Sequence, residues 1–265
     1  MQIAQALRQT TKPFVSLEFF PPAAESHLPE FYETVERLRS IDPLFLSVTY
    51  GAGGGKQQNT LNVTAELARR GFTVMAHLTC VGAEPQAISD FVSHLRAAGV
   101  HNVLALRGDA PRGVSDWDWN AGHFHNARDL VRFLRSEHPD LGIGVAGYPA
   151  PHPDAATFAS DRAYLADKLR AAGLETPVIP GILPIQSFDS LRRVLSLCGA
   201  NIPGKLYLEL EAAHNEGGVE AVREAGLRFA ARQIRQLLDC GAPGIHLYSL
   251  NKSEMCLRLV EEAGL

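Results

Sequence analysis

Short apolar runs alternate with segments of helical period almost from one end of the chain to the other. FVSLEFF (14–20), FLSVTY (45–50), TVMAHLTC (73–80), NVLALRG (102–108), GIGVAGYP (142–149), VIPGILP (178–184) and GIHLYSL (244–250) read as strands. Helical periods fall near 27–41, 57–71, 85–98, 123–137, 161–172, 188–198, 217–240 and 252–263. Several of these close on a glycine, as in ARRG, RAAG, KLRAAG and LLDCG, where a left-handed residue ends a helix. This rhythm predicts parallel strands joined by helices. The opening MQIAQALRQTTK predicts a short amphipathic helix and lacks the apolar run and cleavage site of a signal peptide. Composition shifts nowhere enough to mark a linker, so the expectation is one domain over residues 1–265.

Polar residues gather where the strands end. Glu18, Thr49, His77, Arg107 with Asp109, Tyr148 with His152, and Tyr248 all lie in or just after the C-terminal half of a strand. In a βα barrel the functional groups come from that rim. A doubly wound sheet would also collect ligand groups at its carboxyl edge. However, no glycine fingerprint follows the first strand, and polar strand ends recur along the whole chain. The reading is therefore α/β, a TIM-type barrel, with about seven core strands readable.

A barrel of this kind typically takes about 250 residues, and the chain has 265. Its 46% hydrophobic and 20% charged content suits a globular protein. A net charge of −4 gives no general attraction to nucleic acid or an acidic membrane surface. No stretch approaches the roughly 20 apolar residues that span a bilayer. Cys80, Cys198, Cys240 and Cys256 are widely spaced and show no metal-ligand pattern, as expected of reduced thiols in a cytoplasmic protein.

Glu18 is the most conspicuous single residue. It stands in VSLEFFPP, sharing a strand face with Ser16 and Phe20 while Leu17 and Phe19 take the other. A buried carboxylate needs a partner or a proton. Loss of hydration would raise its pKa toward the range of a general acid, whereas pairing with a core Arg or Lys is the other reading. In LALRGDAP, Arg107 and Asp109 flank Gly108, which permits a turn and close backbone approach; a solvated Arg–Asp turn would look the same. In VAGYPAPHPDA, Tyr148 and His152 bracket prolines in a stiff loop able to clamp a ring or a phosphate, or simply to cap the core. GAGGG after Thr49 lacks the Lys-Ser/Thr of a P-loop. His77 fits a core histidine as well as a working one.

The ordered series LEFFPP, SVTYGAGG, AHLTC, LALRGDAP, VAGYPAPHPDA, PGILPIQSF and HLYSLNKSEM resembles the methylenetetrahydrofolate reductase family from about Phe14 to Met255. The resemblance implies a (βα)8 barrel carrying FAD, which takes hydride from NADH or NADPH and reduces 5,10-methylenetetrahydrofolate to 5-methyltetrahydrofolate. It implies Glu18 as the acid that protonates N10 of the folate, and Asp109 as the group that stabilises the cationic 5-iminium. Thr49, His77, Leu106, Arg107, Gly108, Asp109, Ala146, Tyr148, His152, Asp161 and Lys168 match positions that contact FAD, with Arg107 and Lys168 toward its phosphates. Glu18, Asp109, Phe188 and Tyr248 match substrate positions. A homo-oligomer is compatible with the resemblance; no metal, nucleic acid or membrane is implied.

Two departures stand out. The family places a further strand and helix between the helix matching 161–173 and the PGILP strand. Here only Leu174, Glu175, Thr176 and Pro177 intervene, so one βα unit is absent, together with the strand glutamine that holds the pterin. Strand number and tilt are linked in a barrel, so the expectation is a seven-stranded ring, a gap, or another route for the 161–173 helix. The second departure is Asn126, which stands where the family commonly has an aromatic residue or His. These departures keep open a folate-binding relative with changed one-carbon chemistry, and an inactive barrel with a binding or regulatory role.

Overall fold

The structure is a computed structural model that describes residues 2–50, 57–110, 113–114, 116–147, 177–198 and 202–265. Tyr148, His152, Asp161, Lys168 and the helix expected at 161–172 lie outside these residues.

The strands are β1 (Phe14–Phe19), β2 (Phe45–Val48), β3 (Val74–Thr79), β4 (Asn102–Leu106), β5 (Gly142–Val145), β6 (Gly181–Ile182) and β7 (Gly244–Tyr248). All six residues of β1 are buried, because Leu17 and Phe19 face helices while Ser16 and Glu18 face other strands. Phe19 meets Phe31 of α2 (Leu28–Arg37) edge to face at 5.7 Å. The strands pair in parallel in the order β5-β4-β3-β2-β1-β7-β6, the cyclic order of a βα barrel with β7 closing on β1. The seven-stranded α/β barrel-type expectation is met. Among the described residues the hydrogen-bonded ring is open between β5 and β6, the point in the chain where the missing unit would fall.

Helices α3 (Gln57–Arg69), α4 (Pro85–Ala97), α5 (Ala127–Glu137) and α8 (Ser253–Ala263) alternate with the strands. Their apolar stripes bury Leu67, Phe91, Leu95, Leu130, Leu134 and Leu259 in one core with the outward strand residues. Each such side chain stabilises by about 1.5–3 kcal/mol. At the N-terminal strand ends, α1 (Ile3–Gln9) packs Ile3 against Phe14 and Phe45. The Ile3 N–H donates to the buried Asn102 Oδ1 at 2.9 Å, and Asn102 Nδ2 donates to the Val74 carbonyl at 3.2 Å. This end is thus plugged by side chains, and the opposite rim is left for function.

Two elements differ from the sequence reading. The run 178–184 yields only Gly181–Ile182 as strand, since Pro180 and Pro184 on either side have no N–H to give to a ladder. The helix expected at 217–240 belongs to α7, Gly204–Asp239, which follows α6 (Phe188–Cys198) and is interrupted at Gly217 and Gly218. Gly218 has φ 63° and ψ −145°, a conformation open to glycine almost alone. The two arms of α7 and α6 build a satellite core from Phe188, Leu206, Leu210, Val222 and Ala225.

Candidate active site

Register assembles the site. Glu18 of β1 stands beside Ser47 of β2 and Tyr248 of β7, while Ser16 stands beside His246. One strand further on, His77 of β3 shares the interior face. Glu18 Oε2 therefore lies 3.3 Å from His77 Nε2 and 3.5 Å from His246 Nε2, and receives a long hydrogen bond of 3.5 Å from Ser47 Oγ. Glu18 and His77 are each 7% exposed.

The hydrogen bonds fix His246. Ser16 Oγ donates to the Ile245 carbonyl at 3.1 Å, which leaves its lone pairs to accept from His246 Nδ1 at 2.8 Å. His246 Nε2 then faces Ser47 Oγ at 3.3 Å and the Glu18 carboxylate. Phe45 stacks on the imidazole at 5.8 Å, and Tyr248 meets it edge-on at 5.6 Å. His77 is held differently: its buried Nε2 makes no hydrogen bond among the described residues, although Glu18 Oε2 is near.

The expectation that burial would raise the Glu18 pKa is corrected by these neighbours. Burial pushes it up, and is the largest single influence. The neighbouring imidazoles of His246 and His77 together outweigh it and bring the pKa down to about 2. Glu18 is thus an ionised carboxylate.

The backbone around Glu18 is clamped by the exit of β7. Ser249 Oγ donates to the Glu18 carbonyl. Asn251 Nδ2 donates to the Phe20 carbonyl at 2.8 Å, and its Oδ1 accepts from the Phe20 N–H at 3.0 Å. To reach this position Leu250 and Asn251 take φ of 50° and 57°, a left-handed turn that Asn tolerates better than Leu.

The other expected positions line the same rim with different degrees of contact. Thr49, Leu106, Arg107, Gly108 and Ala146 are half-buried, and Asp109 is exposed. Gly108 has φ +90°, and an added Cβ would come within 2.8 Å of Val81. The Arg107 guanidinium lies over the Trp119 ring at 3.9 Å. Tyr248 covers Gly181, where an added Cβ would meet the hydroxyl at 2.8 Å. Phe188 is 8% exposed and packs in the satellite core, edge-on to Tyr207 at 5.3 Å. Asn126 caps α5, its Oδ1 accepting from the N–H groups of Arg128 and Asp129 at 3.0 and 3.2 Å. A cleft of about 100 Å³ between Cys80 and Trp117 is smaller than the roughly 300–1,000 Å³ of typical small-molecule sites.

Sequence reasoning did not single out His246, Ser47, Ser249 or Asn251. The signal for His246 is present in HLYSL, since it lies two residues before Tyr248 and so on the same strand face.

Fold and site together define a βα-barrel protein with a carboxylate–imidazole cluster at its carboxyl rim. The sequence model described as methylenetetrahydrofolate reductase matches residues 2–173 and 165–264. Relatives include "Methylenetetrahydrofolate reductase (NADH) 1" of Arabidopsis thaliana, 33% identical over 94% of this chain and 48% of its own length. The "5,10-methylenetetrahydrofolate reductase" of Salmonella typhimurium is 29% identical over 94% of this chain and 90% of its own. The chain belongs to the methylenetetrahydrofolate reductase family. It spans about half the length of the plant relatives it matches. A solved Clostridium thermocellum protein, described as binding two copies of 5-methyl-5,6,7,8-tetrahydrofolic acid, has the same fold. Its TM-score is 0.57 at 14% identity, covering 98% of this chain and 97% of that one.

Proposed function

We propose that the chain is a flavin-dependent methylenetetrahydrofolate reductase, a single FAD-binding barrel domain of the cytoplasm. It would pass a hydride from NADH or NADPH to 5,10-methylenetetrahydrofolate and release 5-methyltetrahydrofolate. The observation that carries this reading is the Glu18 carboxylate buried between two imidazoles at the rim where barrel enzymes do their chemistry.

The rim residues suit FAD. His77 Nε2 is a buried polar atom without a hydrogen bond among the described residues. Arg107 offers a cation braced by an indole, and Gly108 and Ala146 leave their strand ends free of bulky side chains. FAD, when bound, supplies the two-electron carrier between nicotinamide and folate. Arg107 would hold its phosphates, and Thr49, His77, Leu106, Gly108, Asp109 and Ala146 would lie along it. Tyr148, His152, Asp161 and Lys168 are proposed on the family resemblance.

The protein's own chemistry is proton transfer. Bound folate would cover the mouth and exclude water, which strengthens the upward push of burial on Glu18. A proton taken up by Glu18 Oε2 from solvent as the site closes then passes to N10. As N10 gains it, the bond from N10 to the bridging methylene breaks and leaves the 5-iminium cation, which the Asp109 carboxylate stabilises. Phe188 and Tyr248 would pack the folate and nicotinamide in turn.

Purified protein should be yellow and should bleach anaerobically with NADH or NADPH, the colour returning on addition of 5,10-methylenetetrahydrofolate. Glu18→Gln should bleach normally and fail to recover. Protein that takes up no flavin on titration would defeat the reading. The absence of the family's pterin-holding strand favours a second reading, a folate-binding relative with changed one-carbon chemistry. Colourless protein that binds reduced folate would support it.

A further inference from the structure

The paired residues of β1 and β7 end where Glu18 stands beside Tyr248. Beyond that point β7 gives way to a turn in which Leu250 and Asn251 take φ of 50° and 57°. Two successive left-handed residues, one of them a leucine, are costly, and such strain persists only where the surroundings enforce it, often at functional sites. β1 meanwhile runs into Pro21 and Pro22, which have no N–H to offer. Phe20 therefore carries the last backbone donor before the prolines.

On the β2 side the backbone still holds this strand end, since the Thr49 N–H donates to the Phe19 carbonyl at 3.0 Å. Side chains complete the β7 side. Ser249 donates to the Glu18 carbonyl through its N–H, at 3.2 Å, and again through its Oγ. The Asn251 amide then meets both backbone groups of Phe20, accepting from the N–H at 3.0 Å and donating to the carbonyl at 2.8 Å. An asparagine amide has the donor and acceptor of a peptide group, so it fills the place of one residue in a parallel ladder. The left-handed turn is what brings it there.

Glu18 lies two residues before that rung. Its carboxylate meets His77 and His246 at 3.3 and 3.5 Å, contacts that hold only while the main chain beneath them keeps its place. We propose that Asn251 is a positioning residue for Glu18. Acting through the Phe20 backbone, its amide keeps the end of β1 from fraying and so keeps the carboxylate in reach of the folate. This rests on the reductase reading above. Asn251 itself takes no part in the proton transfer.

Asn251→Gly tests the proposal, because glycine keeps the left-handed turn and removes only the amide. In the purified variant the Phe20 N–H should exchange with deuterium about tenfold faster than in wild type, while the Leu17 and Leu247 amides stay as they were. Anaerobic reoxidation by saturating 5,10-methylenetetrahydrofolate should slow about tenfold, within the scale of a small misplacement of a reacting group. Bleaching by NADH or NADPH should stay within about twofold of wild type, since Glu18 serves only the folate step. Asn251→Asp keeps the acceptor for the Phe20 N–H and should recover part of the lost rate. Unchanged exchange at Phe20, or reoxidation of Asn251→Gly at the wild-type rate, would overturn the proposal, as would an Asn251→Asp variant no faster than Asn251→Gly. Equal slowing of both half-reactions would overturn it too, because Asn251 would then brace the barrel in general. Wild-type protein that takes up no flavin would instead bring down the reductase reading, and this inference with it.

Discussion

Glu18 shows how one side chain's neighbours reverse what its burial alone dictates. Because its pKa falls from the ordinary 4.5 to about 2, ionised Glu18 stabilises the fold above pH 4.5, and that contribution drains away as pH falls toward 2. The displacement corresponds to an effect on the order of 3 kcal/mol. Denaturant titrations of wild type and Glu18→Gln should therefore differ most above pH 4.5 and converge toward pH 2. A gap that widens with acid would mean the carboxyl is raised instead. Asn126 gives a second test. As the cap of α5 it should cost about 1 kcal/mol on replacement by Ala, visible as a lower thermal midpoint. The sequence exposes Glu18 because a charge on an apolar strand demands an explanation. It hides the partners, since His77 and His246 reach Glu18 through strand register, which no local pattern specifies. Asn126, legible only as a departure from the family, has its own work as a helix cap.

At the scale of elements, strands and helices were legible where period and punctuation agreed. β1 through β4 fall within the expected runs because their apolar residues are dense and bounded by turns. The strand at 178–184 shrank because its prolines cannot join a ladder. The helical stretch before Gly217 was missed for a different reason: the Gly217–Gly218 pair looks like a beginning, whereas it is a break inside a longer run. Leu206 and Leu210, one helical turn apart and both buried, are the signal that was available. The break also makes a prediction. Gly218→Ala forces a Cβ onto a residue at φ 63° and should destabilise by about 1–3 kcal/mol, read from the denaturation midpoint. The satellite core containing Phe188 hangs on that corner, so the variant should also become more sensitive to proteolysis between α6 and the second arm of α7. Unchanged stability would show that the turn can be made another way.

For the whole molecule, strand order decides what ligand binding can do. Glu18, His77, Arg107 and Tyr248 come from β1, β3, the end of β4 and β7, so a ligand that engages them bridges segments spread over most of the chain. Nothing in an unfolded chain reproduces that arrangement, and binding energy must appear as folding stability. The barrel order was readable from the alternation of runs, and the missing βα unit from the short passage between residues 173 and 178. How the ring passes from β5 to β6, which no ladder joins among the described residues, was not readable, because closure depends on tilt and register summed over all strands. Ligand linkage turns this into a measurement. At free FAD about 100-fold above its dissociation constant, stability should rise by about 2.7 kcal/mol, which for a chain of this size moves the thermal midpoint by roughly 5–10 °C. Glu18→Gln should keep that shift, since the carboxylate serves the folate and not the flavin, while Arg107→Ala should lose most of it. A midpoint that ignores FAD and responds to reduced folate would place the chain among folate binders that have left flavin chemistry.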